Sequence, residues 1–211
     1  MKTYVYIDAS NLFYGGEKSL GWKIDYKKLH TYLQEKYGAT RIFYFGGVEI
    51  HDFPYDYQKE NTVPVDILEV YLCRYLEDNT KTLSGSEVLD INHHLKRIRF
   101  YRKIQEFGYV LYLKPVKIYR QDNLTTKRKA NCDVDMAFRL MELKEQFGRV
   151  VVLSGDGDFL PVLKHLRECG REVIILGRSK RTAKEIRQFA GSDFRDFEYL
   201  ETHISYSHHK Q

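Results

Sequence analysis

The chain has 211 residues, 43% of them hydrophobic and 30% charged, with a formal net charge of +5 at pH 7. That length suits one substantial hydrophobic core, and no apolar run approaches the roughly 18 residues of a membrane span. Three widely spaced cysteines (Cys73, Cys132, Cys169) with no C-x-x-C pair argue against a zinc ribbon or a disulfide framework. The start, Met1-Lys2-Thr3-Tyr4-Val5, enters a strand and not a signal peptide, so a cytoplasmic protein without membrane attachment is expected.

In chain order, apolar runs place strands near 3–8, 41–46, 108–113, 149–154 and 172–177. Helical periodicity with start and stop residues predicts helices over 25–37, capped by Asp25 and ended by Gly38, over 133–147, over 159–169 ahead of Gly170, and over 181–189. This alternation is the pattern of an α/β fold with right-handed crossovers. Between the second and third strands, residues 54–107 read as a helical insertion. Its two helices, about 65–77 and 86–106, are joined by the polar loop 79–85. The expected organisation is one domain over 1–200 and a tail over 201–211, frayed from His208 onward.

Acids recur where strands stop. Asp8 ends the first strand and is followed by Ala9-Ser10-Asn11, while the fourth strand runs into Ser154-Gly155-Asp156-Gly157-Asp158-Phe159. In open α/β sheets ligands bind outside the carboxyl ends of the strands where strand order reverses. If the first and fourth strands flank that reversal, Asp8, Asn11, Ser154, Asp156 and Asp158 converge. The helix opening Asp133-Val134-Asp135 adds a further acid. At about 100° per residue, Asp133 lies with Val134, Ala137, Leu140 and Met141 on the sheet-facing stripe, and Asp135 lies with Arg139 and Glu142 on the polar face.

Each acid also has a local use: Asp158 as a helix cap, Asp156 as a turn residue, Asp133 at a helix dipole, Asp8 and Asn11 as turn or cap residues. Several carboxylates in one crevice repel one another unless a cation neutralises them. With oxygen donors alone the fitting ion is hard, Mg²⁺ or Mn²⁺, and such a site can polarise a phosphodiester.

Basic residues gather in Lys114–Ala130, which holds Lys127, Arg128 and Lys129, and again in 93–103 and 178–181. Any one cluster could be an ordinary solvated face, but together they suit a polyanionic partner.

At these residues the sequence resembles the NYN family, a LabA-like branch of the PIN-like nuclease superfamily. The resemblance is carried by Tyr6-Ile7-Asp8-Ala9-Ser10-Asn11, by Lys129-Ala130-Asn131-Cys132-Asp133-Val134-Asp135, by Leu153-Ser154-Gly155-Asp156-Gly157-Asp158-Phe159 and by Gly170-Arg171-Glu172-Val173-Ile174-Ile175.

It implies a PIN-like three-layer sandwich with a mainly parallel sheet of order 3-2-1-4-5 and helices on both faces. It also implies metal-dependent cleavage of RNA by Asp8, Asp133, Asp156 and Asp158. From the residues, the expected mechanism has Asp8, Asp156 and Asp133 hold one or two Mg²⁺ or Mn²⁺ ions, Asp158 bind through water or cap the helix, Asn11 and Ser154 orient a carboxylate, a water or a phosphate oxygen, and Lys127, Arg128 and Lys129 contact phosphates of single-stranded RNA. Self-association is left open, and a non-catalytic RNA- or protein-binding module of the same fold is the alternative. Two features depart from the pattern: Arg139 stands where many members carry an acid, and the insertion over 54–107 is long.

Overall fold

The computed structural model describes residues 1–13, 21–120 and 126–206, with only the backbone described at 118–120 and 126–129. Strand β1, Thr3–Asp8, is buried from Thr3 through Ile7. It pairs in parallel with β2, Ala39–Val48, on one side and with β6, Arg149–Leu153, on the other. A strand with parallel neighbours on both sides and both faces covered reads as an unbroken apolar run, and Val150-Val151-Val152-Leu153 is such a run, each residue at most 1% exposed.

Strand β7, Glu172–Gly177, adds to β6, and β8, Phe194–Asp196, adds to β7, both in parallel, while β3, Tyr109–Pro115, lies beside β2. The order is β3-β2-β1-β6-β7-β8. The five anticipated strands take the anticipated order, and β8 extends it to six. With three residues and an alternation that exposes Arg195, β8 is too short for its period to show in sequence.

The described residues fall into two compact units: Met1–Phe45, Phe107–Val110 and Cys132–Gln211 in the first, Gly46–Glu106 and Leu111–Asn131 in the second. In the first, the helical turn α1, Ala9–Asn11, follows β1 at once. Helix α2, Tyr26–Tyr37, begins at Asp25, whose carboxylate accepts from Lys27 N–H and Lys28 N–H, each at 3.0 Å, and ends at Gly38 with φ 65°. Only glycine takes that left-handed geometry without strain.

In the second unit, α3, Val65–Asp78, and α4, Gly85–Glu106, form the two helices expected of the insertion. Ser84 and Glu87 make a capping box: Ser84 N–H donates to Glu87 Oε2 at 2.8 Å and Glu87 N–H donates to Ser84 Oγ at 3.3 Å. Glu69 on α3 binds Arg99 and Arg102 of α4 at 2.8 and 2.6 Å. The unit also holds a two-stranded antiparallel hairpin, β4, Lys117–Arg120, and β5, Thr126–Lys129. No strand was anticipated there, because Thr126-Lys127-Arg128-Lys129 lacks any apolar alternation.

Helix α5, Asp133–Glu142, is shorter than its expected end at 147. A 3₁₀ turn, Lys144–Gln146, follows, and Phe147 is extended at φ −130°. Leaving the helix lets Phe147 bury its ring to 2% exposure, 5.4 Å from Tyr4, a burial worth roughly 1.5–3 kcal/mol.

Helix α6, Leu160–Glu168, and helix α7, Lys184–Ala190, complete the crossovers. Residues 201–204, placed in the tail by sequence, form the short helix α8, Glu201–Ile204, with Ile204 fully buried. His208–Gln211 lie outside the described residues. Among the described residues no helix is long and apolar enough to cross a membrane.

Candidate functional site

The parallel register pairs Ile7 with Leu153, so the residues that follow, Asp8 and Ser154, leave the sheet side by side. Ser154, 3% exposed, donates its hydroxyl to Asp8 Oδ2 at 3.2 Å and accepts the Asp156 N–H at 3.3 Å. Asp8 Oδ1 takes Ser10 N–H at 2.9 Å and Asn11 N–H at 3.1 Å, which makes Asp8 the cap of α1. Asn11 thus enters the site through its backbone.

Burial pushes the Asp8 carboxyl up to about 6; the Asn11 N–H opposes that shift, the charge of Asp133 adds to it, and the Ser154 hydroxyl and Ser10 N–H oppose it. Three of the carboxylate's roughly four lone-pair sites are therefore filled.

Asp133 opens α5, which packs against β1. The buried residues of that helix are Met136 and Leu140, three and seven positions beyond Asp133 and on its side of the helix. Val134, assigned to the same stripe from sequence, is instead 72% exposed, as its 100° offset from Asp133 allows. Arg139 is ion-paired to Glu142 one turn on.

Asp156 has extended backbone, φ −76° and ψ 127°, and its carboxylate accepts Asp158 N–H at 3.0 Å. Asp156, and not Asp158, is therefore the cap of the turn Gly157–Phe159 ahead of α6. The Asp158 side chain is exposed. The structure thus joins Asp8, Ser154 and Asp156 by hydrogen bonds and brings the charge of Asp133 to bear on Asp8. Among the described residues no group of three or more His, Cys, Asp or Glu side chains stands at metal-holding distances.

The donor set is oxygen only. One unfilled lone-pair site on Asp8 and a second carboxylate whose charge disfavours its ionisation are features a hard divalent cation would relieve. The side chains of Lys127, Arg128 and Lys129 lie outside the described residues.

Three neighbours were not read from sequence. A Cβ on Gly155 would come within 2.6 Å of Thr182 Oγ1 and 2.8 Å of Thr182 Cα, and Ala183 N–H donates to Gly155 O at 2.9 Å. Thr182, 6% exposed, donates to Arg178 O at 2.9 Å. Arg178, grouped by sequence with a basic surface cluster, is 7% exposed, and its guanidinium reaches Asp196 and Glu198. The Glu185 carboxylate covers the Cα of Gly157. The glycines around Asp156 were the one available signal, since glycine at a strand end marks a close backbone approach.

Comparison with known proteins agrees with this topology. The chain is 20% identical over 185 residues to the Low amplitude and bright protein LabA of Synechococcus elongatus, covering 87% of this chain and 77% of that protein. The crystal structure of VPA0982, a protein of unknown function from Vibrio parahaemolyticus RIMD 2210633, superposes with a TM-score of 0.63 at 16% identity, covering 97% of this chain and 96% of that one. The T5 D15 protein co-crystallized with metal ions gives a TM-score of 0.45 at 12% identity over 89% of this chain and 59% of its own, too distant to bear on the site. The NYN domain family matches residues 2–198, nearly the whole chain, which therefore belongs to the NYN domain family.

Proposed function

We propose that the protein is a nuclease, a metal-dependent hydrolase of phosphodiester bonds in single-stranded RNA, built as one domain over residues 1–200. The observation that carries this reading is the half-buried Asp8 carboxylate at the carboxyl edge of two adjacent parallel strands, bonded to Ser154 and charge-coupled to Asp133.

Asp8, Asp133 and Asp156, with Asp158 at the rim, would hold Mg²⁺ or Mn²⁺. When bound, such an ion supplies Lewis acidity at the scissile phosphate and lowers the pKa of the attacking water. The chain's own part is orientation. Ser154 favours the ionised form of Asp8 by donating to it, against the larger effect of burial, and the Asp158 N–H fixes the Asp156 carboxylate. Lys127, Arg128 and Lys129 would contact phosphates, so RNA affinity falls as salt rises.

The test is incubation with a labelled single-stranded RNA and DNA pair in Mg²⁺, Mn²⁺ and chelator, with Asp8→Asn as control. Cleavage of RNA that needs the ion and vanishes in Asp8→Asn is expected; equal rates in both proteins would remove the assignment.

One observation favours a second reading. Asp8 and Asp156 each cap their own turn, a purely structural use that a non-catalytic RNA- or protein-binding module would keep. Calorimetric titration with Mn²⁺ separates the two, because the module binds no ion at this centre.

A further inference from the structure

Strand order sets three carboxyl ends in a row. β6 pairs with β1 on one side and with β7 on the other, so Asp8, then Ser154 and Asp156, then the loop 178–183 follow one another along one edge of the sheet. Neighbouring strands stand about 4.8 Å apart, which puts the end of β7 roughly 10 Å from the end of β1.

That loop is fixed by its backbone and by one buried side chain. Arg178 reaches Asp196 at 3.4 Å and also Glu198, Ser179 N–H donates to Asp196 Oδ2 at 3.0 Å, and Arg181 N–H donates to Arg178 O at 2.8 Å. At its far end, Thr182 and Ala183 lie against Gly155 of the Asp156 turn. The carboxylates of Asp196 and Glu198 are thus drawn onto Arg178.

Lys180 and Arg181, in the 3₁₀ turn Ser179–Arg181, are exposed. Among the described residues neither side chain has an ion pair or hydrogen bond, and the nearby exposed acid Glu185 pairs with neither. Cations elsewhere on the chain are neutralised: Glu69 takes Arg99 and Arg102, Glu106 takes Lys103, and Glu145 takes Arg171. Two uncompensated cations on a rigid turn beside an acidic centre call for an anion.

We propose that Lys180 and Arg181 bind backbone phosphates of the single-stranded RNA, on the β7 side of the linkage that is cleaved, an assignment that rests on the nuclease reading above. Arginine offers a planar fork that matches phosphate oxygens, and lysine a point charge. The acids of the centre repel a polyanion. Cations roughly 10 Å away, about one Debye length at 0.1 M salt, are close enough to offset that repulsion. The strand then runs along the sheet edge from β1 to β7, and a substrate that ends at the cleaved linkage on the β7 side loses these contacts.

The experiment measures binding of a labelled single-stranded RNA by fluorescence anisotropy over a series of salt concentrations, with chelator present so that nothing is cleaved. The full chain is compared with a Lys180→Gln/Arg181→Gln double variant. Lys36→Gln is the control, because Lys36 lies in the last turn of α2, just ahead of the start of β2 and so at the opposite edge of the sheet. Plotted as log affinity against log salt, the slope should become shallower by about 1.4 in the double variant, or about 0.7 for each phosphate contact on a single strand. It should not change in Lys36→Gln. In Mn²⁺ the loss should fall on KM and not on kcat.

A slope equal to wild type in the double variant, or an equal change in Lys36→Gln, overturns the assignment. A second measurement moves the change into the RNA. Neutral methylphosphonate linkages placed at successive positions should include at least one that weakens binding to wild type and not to the double variant; equal weakening in both proteins at every position also overturns it. Binding in chelator is read apart from cleavage, so a wild type that cleaves nothing removes the nuclease reading, whereas an unchanged slope removes the phosphate contacts alone.

Discussion

The turn after β1 and the turn after β6 use the same device and differ in what lies against them. Each begins with an aspartate in extended backbone whose carboxylate accepts N–H groups of the next residues. The β1 turn, Ala9-Ser10-Asn11, contains no glycine, and Ser10 is exposed. The β6 turn has glycine at 155 and 157 because Thr182 and Glu185 occupy the space their Cβ atoms would fill. One turn is shaped by its own side chains, the other by a clamp from Thr182 in the loop after β7 and Glu185 in the first turn of α7. The backbone path of the β1 turn is thus a local property, with Ser154 the one distant donor to Asp8, whereas the path of the β6 turn depends on residues about 26 positions downstream.

The largest expected effect sharpens the local side of that contrast. Asp8→Asn keeps a good cap, since asparagine caps as well as aspartate, but removes the charge, so RNA cleavage should drop ~100-fold or more in single-turnover assays. Folding that survives while activity is lost separates the chemical role from the capping role.

Next, Gly155→Ala tests the clamp. The new Cβ meets the Thr182 backbone, which cannot rotate away, so the unfolding free energy in urea should fall by about 1–3 kcal/mol. Ser10→Ala in the unclamped turn should stay within about 0.5 kcal/mol. Equal effects in the two turns would break the comparison.

A third prediction concerns pH. The folded pKa of Asp8 is raised from 3.8 to about 6, so the folded chain holds this proton more tightly than the unfolded chain. Asp8 therefore contributes no penalty below pH 3.8, a growing one as pH rises to about 6, and the full penalty above. In chelator, Asp8→Asn should be more stable than wild type by about 1–2 kcal/mol at neutral pH, after discounting for partial exposure, and no more stable at acid pH. Urea curves at both pH values decide it.

The smallest effect belongs to Ser154→Ala, which removes one donor to Asp8 and one acceptor for Asp156 N–H. Stability should fall by about 1 kcal/mol, and the pH midpoint of the Asp8 titration, followed by carboxyl NMR, should move upward.

What the sequence disclosed follows from how local each cause is. The central strands were legible because burial on both faces writes unbroken apolar runs, and Asp25 and Gly38 bounded α2 by capping rules that act within four residues. The Asp8–Ser154 contact was legible through strand order, since neighbouring parallel strands bring their ends together. Hidden were features whose cause is tertiary. Helix α5 stops early because Phe147 has a better place against Tyr4, β8 is held to three residues at a sheet edge, and Arg178 looks like surface charge until Asp196 and Glu198 arrive from the end of the chain. Helical phase placed Asp133 on the buried side but took Val134 with it, because a stripe drawn on a wheel has no sharp rim.

The three hydrogen bonds to Asp8 and the one to Asp156 also settle when rotamer entropy is lost. Both carboxylates are held at fixed angles as soon as the chain folds, so an arriving ion would immobilise neither, a saving on the order of 0.5–1.5 kcal/mol for each ordered side chain. Preorganisation of this kind would make capture of the proposed ion insensitive to side-chain disorder and would leave dehydration of the cation as the main barrier to its entry.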